Sequence, residues 1–127
     1  MTEKPVLVIA DDDPNVGRLI SYRLERMGME VHVTVDGGEA HDLIARLRPD
    51  VVVLDVMMPV MNGMEVLRLM RQDPSTSGIP AILLSARSSE NDLKKGEQVG
   101  ASDYMTKPFS PEELARRIKA LLDGKAS

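Results

Sequence analysis

Side chains that can carry a charge or share a proton follow four short apolar runs of this chain, each where a run ends. Asp55 comes directly after the apolar run at 51–54, and an acidic triplet at 11–13 follows the first run. Ser85 and Lys107 follow two later runs in the same way. If the runs form parallel strands of one sheet, their carboxyl ends share one edge, where ligands bind. The spacing therefore predicts one site that combines carboxylates, a hydroxyl and an ammonium.

The chemistry that suits this combination is phosphoryl transfer to a carboxylate. Neighbouring carboxylates repel one another, which raises some of their pKa values unless a cation neutralises them. Oxygen ligands in a chain without cysteine favour Mg²⁺ over Zn²⁺. Asp55 would attack phosphorus, Lys107 would neutralise one phosphoryl oxygen and Ser85 would hydrogen-bond another. Taken singly, the triplet is also typical of a helix cap, Ser85 of a strand end and Lys107 of a solvated surface.

The elements that must position these residues follow from the hydrophobic pattern. Apolar runs at 6–10, 51–54 and 79–84 predict buried strands, alternating valines at 31–35 predict an edge strand, and 102–106 is a short fifth segment. Segments with helical spacing separate and follow them, which predicts an α/β fold with a parallel sheet and helices on both faces. Residues 88–98 form a poorly amphipathic predicted helix, with the thinnest apolar anchoring of the five. Leu93 is expected to be its only large apolar anchor before Val99.

Length and composition exclude several classes of protein. The 127 residues predict one domain over 1–127, and the formal net charge of −4 argues against a domain that grips nucleic-acid phosphates. The absence of cysteine excludes disulfides, thiolate metal sites and cysteine nucleophiles. No apolar run approaches the ~20 residues that span a bilayer, and the first residues lack the pattern of a signal peptide. We therefore expect a cytoplasmic protein without membrane contact.

Four motifs together resemble the receiver domain of bacterial two-component response regulators. Each motif is weak by itself, but their order and spacing are highly specific, and the resemblance covers essentially the whole chain. The motifs are Asp11-Asp12 after the first strand, Leu54-Asp55-Val56-Met57-Met58-Pro59 with Gly63, Leu84-Ser85-Ala86, and Tyr104-Met105-Thr106-Lys107-Pro108-Phe109. In this register Asp13, which precedes Pro14, is left as the cap of the first helix.

The resemblance implies a fold and a phosphorylation site. The expected fold is a flavodoxin-like, doubly wound (βα)5 domain with the sheet order 2-1-3-4-5. Asp55 is expected to accept a phosphoryl group from the phosphohistidine of a sensor histidine kinase or a phosphotransfer protein. Mg²⁺ or Mn²⁺ is expected to be held by the carboxylates of Asp11, Asp12 and Asp55 and by the backbone carbonyl of Met57. No enzymatic activity is expected beyond the domain's own phosphotransfer and dephosphorylation.

The resemblance also implies how a signal leaves the site. Ser85 resembles the family's switch hydroxyl and Tyr104 its switch aromatic, and the Lys107–Pro108 peptide bond is usually cis in the family. Phosphorylation is expected to change the face formed by the fourth helix, the fifth strand and the fifth helix. That face would control an output domain, a downstream protein or a phosphorylation-dependent homodimer. Direct binding of nucleic acid by this domain is not expected.

Three other functions fit parts of the pattern. A phosphatase of the haloacid dehalogenase type would need a second Asp two residues after its nucleophile, but that position is Met57, which cannot transfer a proton. A flavodoxin-like electron carrier would need hydroxyls and amides where this chain has the acidic triplet. A receiver-like scaffold that is never phosphorylated would not need Asp55, Lys107 and the acidic pair together. The phosphorylated switch is therefore the favoured interpretation.

Overall fold

The computed structural model describes residues 4–87 and 89–126, which form five strands and five helices in alternation. The strands are β1 (Val6–Ala10), β2 (Glu30–Thr34), β3 (Val51–Asp55), β4 (Ala81–Ser85) and β5 (Asp103–Thr106). The helices are α1 (Pro14–Arg26), α2 (Gly37–Leu47), α3 (Gly63–Gln72), α4 (Glu90–Gln98) and α5 (Pro111–Ala126). All strand pairs are parallel in the order β2-β1-β3-β4-β5, which confirms the predicted topology. Residue 88, where the fourth helix was predicted to begin, and the two ends of the predicted domain lie outside the described residues.

The central strand β3 is buried on both faces, as its continuous apolar run predicts. Val51 and Val53 pack with α1 and α5 on one face of the sheet. Val52 and Leu54 point to the opposite face, where they pack with α2 and α3. Because successive side chains of a strand point to opposite faces, one apolar run supplies the centre of both cores. Asp55 ends this strand at the sheet edge and is only 3% exposed.

Side-chain caps fix where the helices begin. Asp13 accepts a hydrogen bond from the Asn15 backbone N–H at 2.9 Å and Pro14 follows it, so the third acid of the triplet caps α1 as predicted. Asp36 caps α2 and Asn62 caps α3 in the same manner. These caps place the start of each helix directly after a loop at the carboxyl edge of the sheet. The loops that carry the predicted site residues are therefore short and fixed at both ends.

The weakly packed helix α4 is held differently from the prediction. Leu93 is 41% exposed, so the expectation that it anchors the helix is wrong. The buried residue of α4 is Gly96, where an added Cβ would lie 2.9 Å from Cδ2 of Tyr104. The helix thus approaches β5 closely at a position without a side chain, and Tyr104 fills the space. Helical spacing alone gave no sign of this, because a glycine carries no hydrophobic signal.

Two strand boundaries also differ from the prediction. Strand β4 begins at Ala81 rather than residue 79, because Pro80 has no N–H to donate to a neighbouring strand. Strand β2 ends at Thr34, which leaves Val35 in the following loop with 42% of its surface exposed. Among the described residues, none of the helices has the length and apolar character needed to cross a membrane.

Arg71 joins three segments at the amino edge of the sheet. Its guanidinium donates to the carbonyl oxygen of Gly100 from Nε at 3.1 Å and from Nη2 at 2.8 Å. The remaining nitrogen, Nη1, donates to the carbonyls of Ser77 at 3.1 Å and Ile79 at 2.7 Å. Arg71 therefore ties α3 to the loop before β4 and to the connection between α4 and β5, and every acceptor is a backbone oxygen.

Candidate functional site

Three predicted site residues meet at the carboxyl edge of the sheet. Asp11 follows β1 and is fully buried, and Asp55 ends β3. The ammonium of Lys107, just after β5, lies 3.0 Å from Oδ2 of Asp11 and 3.2 Å from Oδ2 of Asp55. The Lys107–Pro108 peptide bond is cis, as the resemblance implies. Residues from three strands thus form one charged cluster, where the sequence placed them.

The acidic pair and Asp55 could hold a divalent cation. One carboxylate oxygen from each of Asp11, Asp12 and Asp55 lies within 4.8 Å of the other two. Oδ1 of Asp11 accepts a hydrogen bond from the Asp13 backbone N–H at 2.9 Å. The other oxygen, Oδ2, is buried, and among the described residues its polar contact is the ion pair with Lys107. Asp12 is exposed, so the cluster opens to solvent on its side. Three hard oxygen donors, one with spare acceptor capacity, fit Mg²⁺ or Mn²⁺.

The cluster has an excess of negative charge, since three carboxylates share one ammonium. Burial, above all, raises the pKa of Asp55 from 3.8 to about 6, and the carboxyl of Asp12 and the charge of Asp11 act in the same direction. Lys107 opposes these effects without cancelling them. Burial also acts to lower the pKa of Lys107, but its contacts with Asp11 and Asp55 raise that pKa above its ordinary value. A bound cation would supply the positive charge that one lysine does not.

The loop after Asp55 passes close to its carboxylate. The Met57 backbone N–H lies 3.4 Å from Oδ1 of Asp55, while the Met57 side chain is 58% exposed. At Gly63, where α3 begins, an added Cβ would lie 2.3 Å from the carbonyl oxygen of Asp55. Only a residue without a side chain lets α3 start so near the strand end. Gly63 was part of a recognised motif, but its steric reason becomes visible only in the structure.

Ser85 and Tyr104 are linked through the backbone of Arg87. Oγ of Ser85, which is 1% exposed, accepts a hydrogen bond from the Arg87 N–H at 3.0 Å. The carbonyl of Arg87 in turn accepts the hydroxyl proton of Tyr104 at 2.9 Å. Within the described residues, no hydrogen bond joins either side chain to the acidic cluster. Ser85 lies one residue beyond the pairing of Asp55 with Leu84, so it is adjacent to the cluster along the sheet edge.

An apolar groove of about 500 Å³ opens beside Lys107. It lies between α1 and the start of α5, and its lining includes Val16, Ile20, Pro108 and Phe109. The groove was not predicted, because its walls come from segments far apart in the sequence. Lys107 therefore borders both the groove and the acidic cluster.

Comparison with known proteins identifies the family. The family model described as "Response regulator receiver domain" matches residues 7–119. The chain is 41% identical over 118 residues to the DNA-binding dual master transcriptional regulator RpaA of Synechocystis, covering 93% of this chain and 49% of that protein. It is 43% identical over 119 residues to the alkaline phosphatase synthesis transcriptional regulatory protein PhoP of Bacillus subtilis, covering 94% and 48%. The solved receiver domain of Francisella response regulator 1452 superposes with a TM-score of 0.90 at 36% identity, covering 96% of this chain and 99% of that one.

The chain combines a doubly wound sheet with an acidic cluster and a lysine at the carboxyl edge of that sheet. The chain belongs to the response regulator receiver domain family. It is a receiver domain of two-component systems, as the four motifs indicated. It spans about half the length of the curated relatives that it matches.

Proposed function

We propose that Asp55 is the phosphoryl acceptor of this receiver domain. The observation that carries the proposal is the position of its carboxylate, 3.2 Å from the ammonium of Lys107 and beside two further acids at an edge open to solvent. A pKa of about 6 leaves Asp55 mainly ionised at pH 7, so it can act as a nucleophile. A purely structural acid would gain nothing from a site that raises its pKa.

The phosphoryl donor is a phosphohistidine of a sensor histidine kinase or a phosphotransfer protein. An Asp55 carboxylate oxygen attacks phosphorus, a P–O bond forms, and the P–N bond to the donor histidine breaks. The bonding electron pair goes to the imidazole nitrogen. The donor leaves as neutral histidine because the other ring nitrogen takes up a proton from solvent. Lys107 binds a phosphoryl oxygen throughout, because it lies within ion-pair distance of the acceptor.

Asp11, Asp12 and Asp55, together with the backbone carbonyl of Met57, would hold the divalent cation, Mg²⁺ or Mn²⁺. When bound, the cation neutralises the charge that builds up on the phosphoryl oxygens. Asp11 is suited to this role because its buried Oδ2 is engaged only in the ion pair with Lys107, among the described residues. The backbone of Met57 is close to the site, since its amide nitrogen lies 3.4 Å from Oδ1 of Asp55. The side chain of Met57 cannot donate a proton, which favours a stable phosphorylated state over an enzyme that turns over substrate.

Ser85 and Tyr104 would transmit the phosphorylated state to the surface. Ser85 Oγ acts as an acceptor toward the Arg87 N–H, so its own hydroxyl proton is available for a phosphoryl oxygen. A shift of Ser85 toward Asp55 would carry the Arg87 peptide with it and move the carbonyl that holds the Tyr104 hydroxyl. Tyr104 packs on Gly96, so its reorientation would change the contact of α4 with β5.

The changed face of α4, β5 and α5 would act on an output domain, a downstream protein or a second copy of the chain.

The donor would dock at the apolar groove beside Lys107, and docking there would bring its histidine near Asp55. The relatives RpaA and PhoP are DNA-binding or transcriptional regulators, but this domain itself would not bind nucleic acid. We assign it to the cytoplasm as a single domain over 1–127, with no catalysis beyond its own phosphotransfer and dephosphorylation.

Incubation with acetyl phosphate and Mg²⁺ followed by intact mass spectrometry tests the acceptor. Wild type should gain the mass of one phosphoryl group, and hydroxylamine should remove it, because an acyl phosphate is cleaved by this nucleophile. Asp55→Asn should gain nothing. Asp13→Asn is the matched control, since it removes a nearby acid while asparagine still caps α1, and it should be labelled like wild type. Equal labelling of Asp55→Asn, or no labelling of wild type, would overturn the proposal.

A further inference from the structure

The loop between β3 and α3, residues 56–62, contains a tight turn centred on Val60. The Met61 backbone N–H donates to the Pro59 carbonyl at 2.8 Å, and Val60 between them has a φ of 72°. A hydrogen bond across one residue with a positive central φ is the rarer and more strained form of the γ-turn. Valine is poorly suited to it, because a β-branched side chain at positive φ crowds its own backbone.

The Val60 side chain contributes little packing to this strained conformation. The Val60 side chain is 84% exposed, so burial does not offset its backbone strain. The turn is held mainly from outside, where the Gly37 N–H donates to the Pro59 carbonyl at 3.2 Å. At Gly37 an added Cβ would lie within 3 Å of the Met61 backbone, so the loop is seated directly against the start of α2. Backbone strain persists only where the surroundings impose it, and here they are the contact with Gly37 and the packing of Met58 and Met61 on the core.

The same loop carries Met57 past the carboxylate of Asp55, at 3.4 Å from amide nitrogen to Oδ1. Relaxation of Val60 to a negative φ would break the turn and redirect the chain on either side of it. The position of the Met57 backbone would change with it, because both residues belong to one short loop fixed at Asp55 and at Gly63. The strained turn and the geometry of the cation site are therefore two properties of a single loop conformation.

We propose that Val60 is a positioning residue that tunes the divalent-cation affinity of the acidic site. Its strained turn makes the 56–62 loop exchange out of the conformation that places the Met57 backbone over Asp55. Only part of the molecules then hold the site ready, and the apparent affinity is reduced by that fraction. This inference rests on the proposed function, since it assumes that the acidic cluster and the Met57 carbonyl bind the cation.

Substitutions at position 60 separate strain from side-chain chemistry. Val60→Asn and Val60→Gly relieve the strain, because asparagine and glycine both tolerate positive φ. Val60→Thr keeps the β-branched shape and hence the strain. Val35→Asn is the matched control for replacing an exposed valine by asparagine, at a loop position that is 42% exposed and is not among the residues with positive φ.

The expected result is tighter binding when the strain is removed. In a Mg²⁺ titration followed by amide NMR, Val60→Asn and Val60→Gly should bind up to about twofold more tightly than wild type, because at least half of the wild-type molecules keep the strained turn. Val60→Thr and Val35→Asn should bind like wild type. In chelator, Val60→Asn should raise the melting temperature and slow amide exchange across residues 56–62. A role confined to structure would raise the melting temperature but leave Mg²⁺ affinity unchanged.

Two kinds of failure are distinguishable. Equal Mg²⁺ affinity of Val60→Asn, Val60→Gly and wild type, with saturable binding that Asp55→Asn abolishes, would overturn this inference and leave the proposed function standing. Absence of saturable Mg²⁺ binding to wild type would overturn both. Weaker binding by the two strain-relieving variants would also overturn the inference, because the turn would then serve to hold the loop in place.

Discussion

Replacement of Asp55 by asparagine is expected to stabilise the metal-free domain at neutral pH and to lose this effect in acid. Burial and two neighbouring acids raise the pKa of Asp55 from 3.8 to about 6, so the fold disfavours its ionised form. Asparagine has nearly the same shape and carries no charge. Lys107 keeps its second partner, since Asp11 remains 3.0 Å from its ammonium.

The magnitude follows from the two pKa values. The difference between 3.8 and about 6, at about 1.4 kcal/mol for each pH unit, corresponds to roughly 3 kcal/mol of destabilisation when Asp55 is fully ionised. Because the edge of the site is open to solvent, screening lowers the expected gain to about 1–3 kcal/mol. The folded state binds more protons than the unfolded chain between about pH 4 and pH 6. The contribution of Asp55 to stability therefore falls as the pH rises through this window.

Urea denaturation in chelator, from about pH 4 to about pH 8, measures this effect. The difference in unfolding free energy between Asp55→Asn and wild type should grow by about 1–3 kcal/mol across the range. Asp42→Asn, at an exposed carboxylate of α2, should show no such trend. Mg²⁺ at neutral pH should narrow the gap, because it binds wild type more tightly and stabilises it by mass action.

Two results would refute the reasoning. A difference between Asp55→Asn and wild type that does not change with pH would show that Asp55 does not carry the destabilising charge. A less stable Asp55→Asn at neutral pH would show that the ion pair with Lys107 outweighs burial and repulsion, against the raised pKa.

Three further predictions concern other parts of the molecule. Lys107→Met should destabilise the metal-free domain by about 1–3 kcal/mol near neutral pH, because two buried acids lose their shared cation, and urea denaturation should show partial recovery with Mg²⁺. Arg71→Met should lower the unfolding free energy by about 2–4 kcal/mol, since three backbone carbonyls lose their donor, whereas Arg68→Met at an exposed ion pair should have a far smaller effect in the same assay. Amide exchange should be fastest in α4 among the five helices, because the buried residue of α4 is Gly96, which has no side chain to pack. Protection of α4 equal to that of α1 would contradict this.

The sheet and the charged edge could be predicted because their signals are local. The apolar run before Asp55 specifies a strand buried on both faces, and the acid at its end specifies where that strand stops. Parallel strands must bring their carboxyl ends to one edge of the sheet. The meeting of Asp11, Asp55 and Lys107 could therefore be predicted from the strands alone. The cap at Asp13 was equally local, since it depends on Pro14 and the next backbone N–H.

The features that could not be predicted depend on contacts between distant segments. Helical spacing named Leu93 as an anchor, but the helix is seated on Tyr104 through Gly96, a residue that no hydrophobic pattern marks. The positive φ of Val60 is imposed by the start of α2, since valine itself prefers the opposite region. The carbonyls that bind Arg71 belong to backbone that every residue possesses, so their recruitment leaves no trace in the sequence.

Because of the Arg71 guanidinium, the two edges of the sheet differ in their sensitivity to pH and salt. Its partners are carbonyl oxygens, which neither titrate nor exchange counter-ions, so acid and moderate salt should leave this joint intact. The opposite edge depends on carboxylates and a lysine, whose charges respond to the pH and the ions of the solvent. A change in pH or metal concentration should therefore rearrange the carboxyl edge while the amino edge keeps its geometry. The amino edge of the sheet thus stays in place while the carboxyl edge moves relative to it.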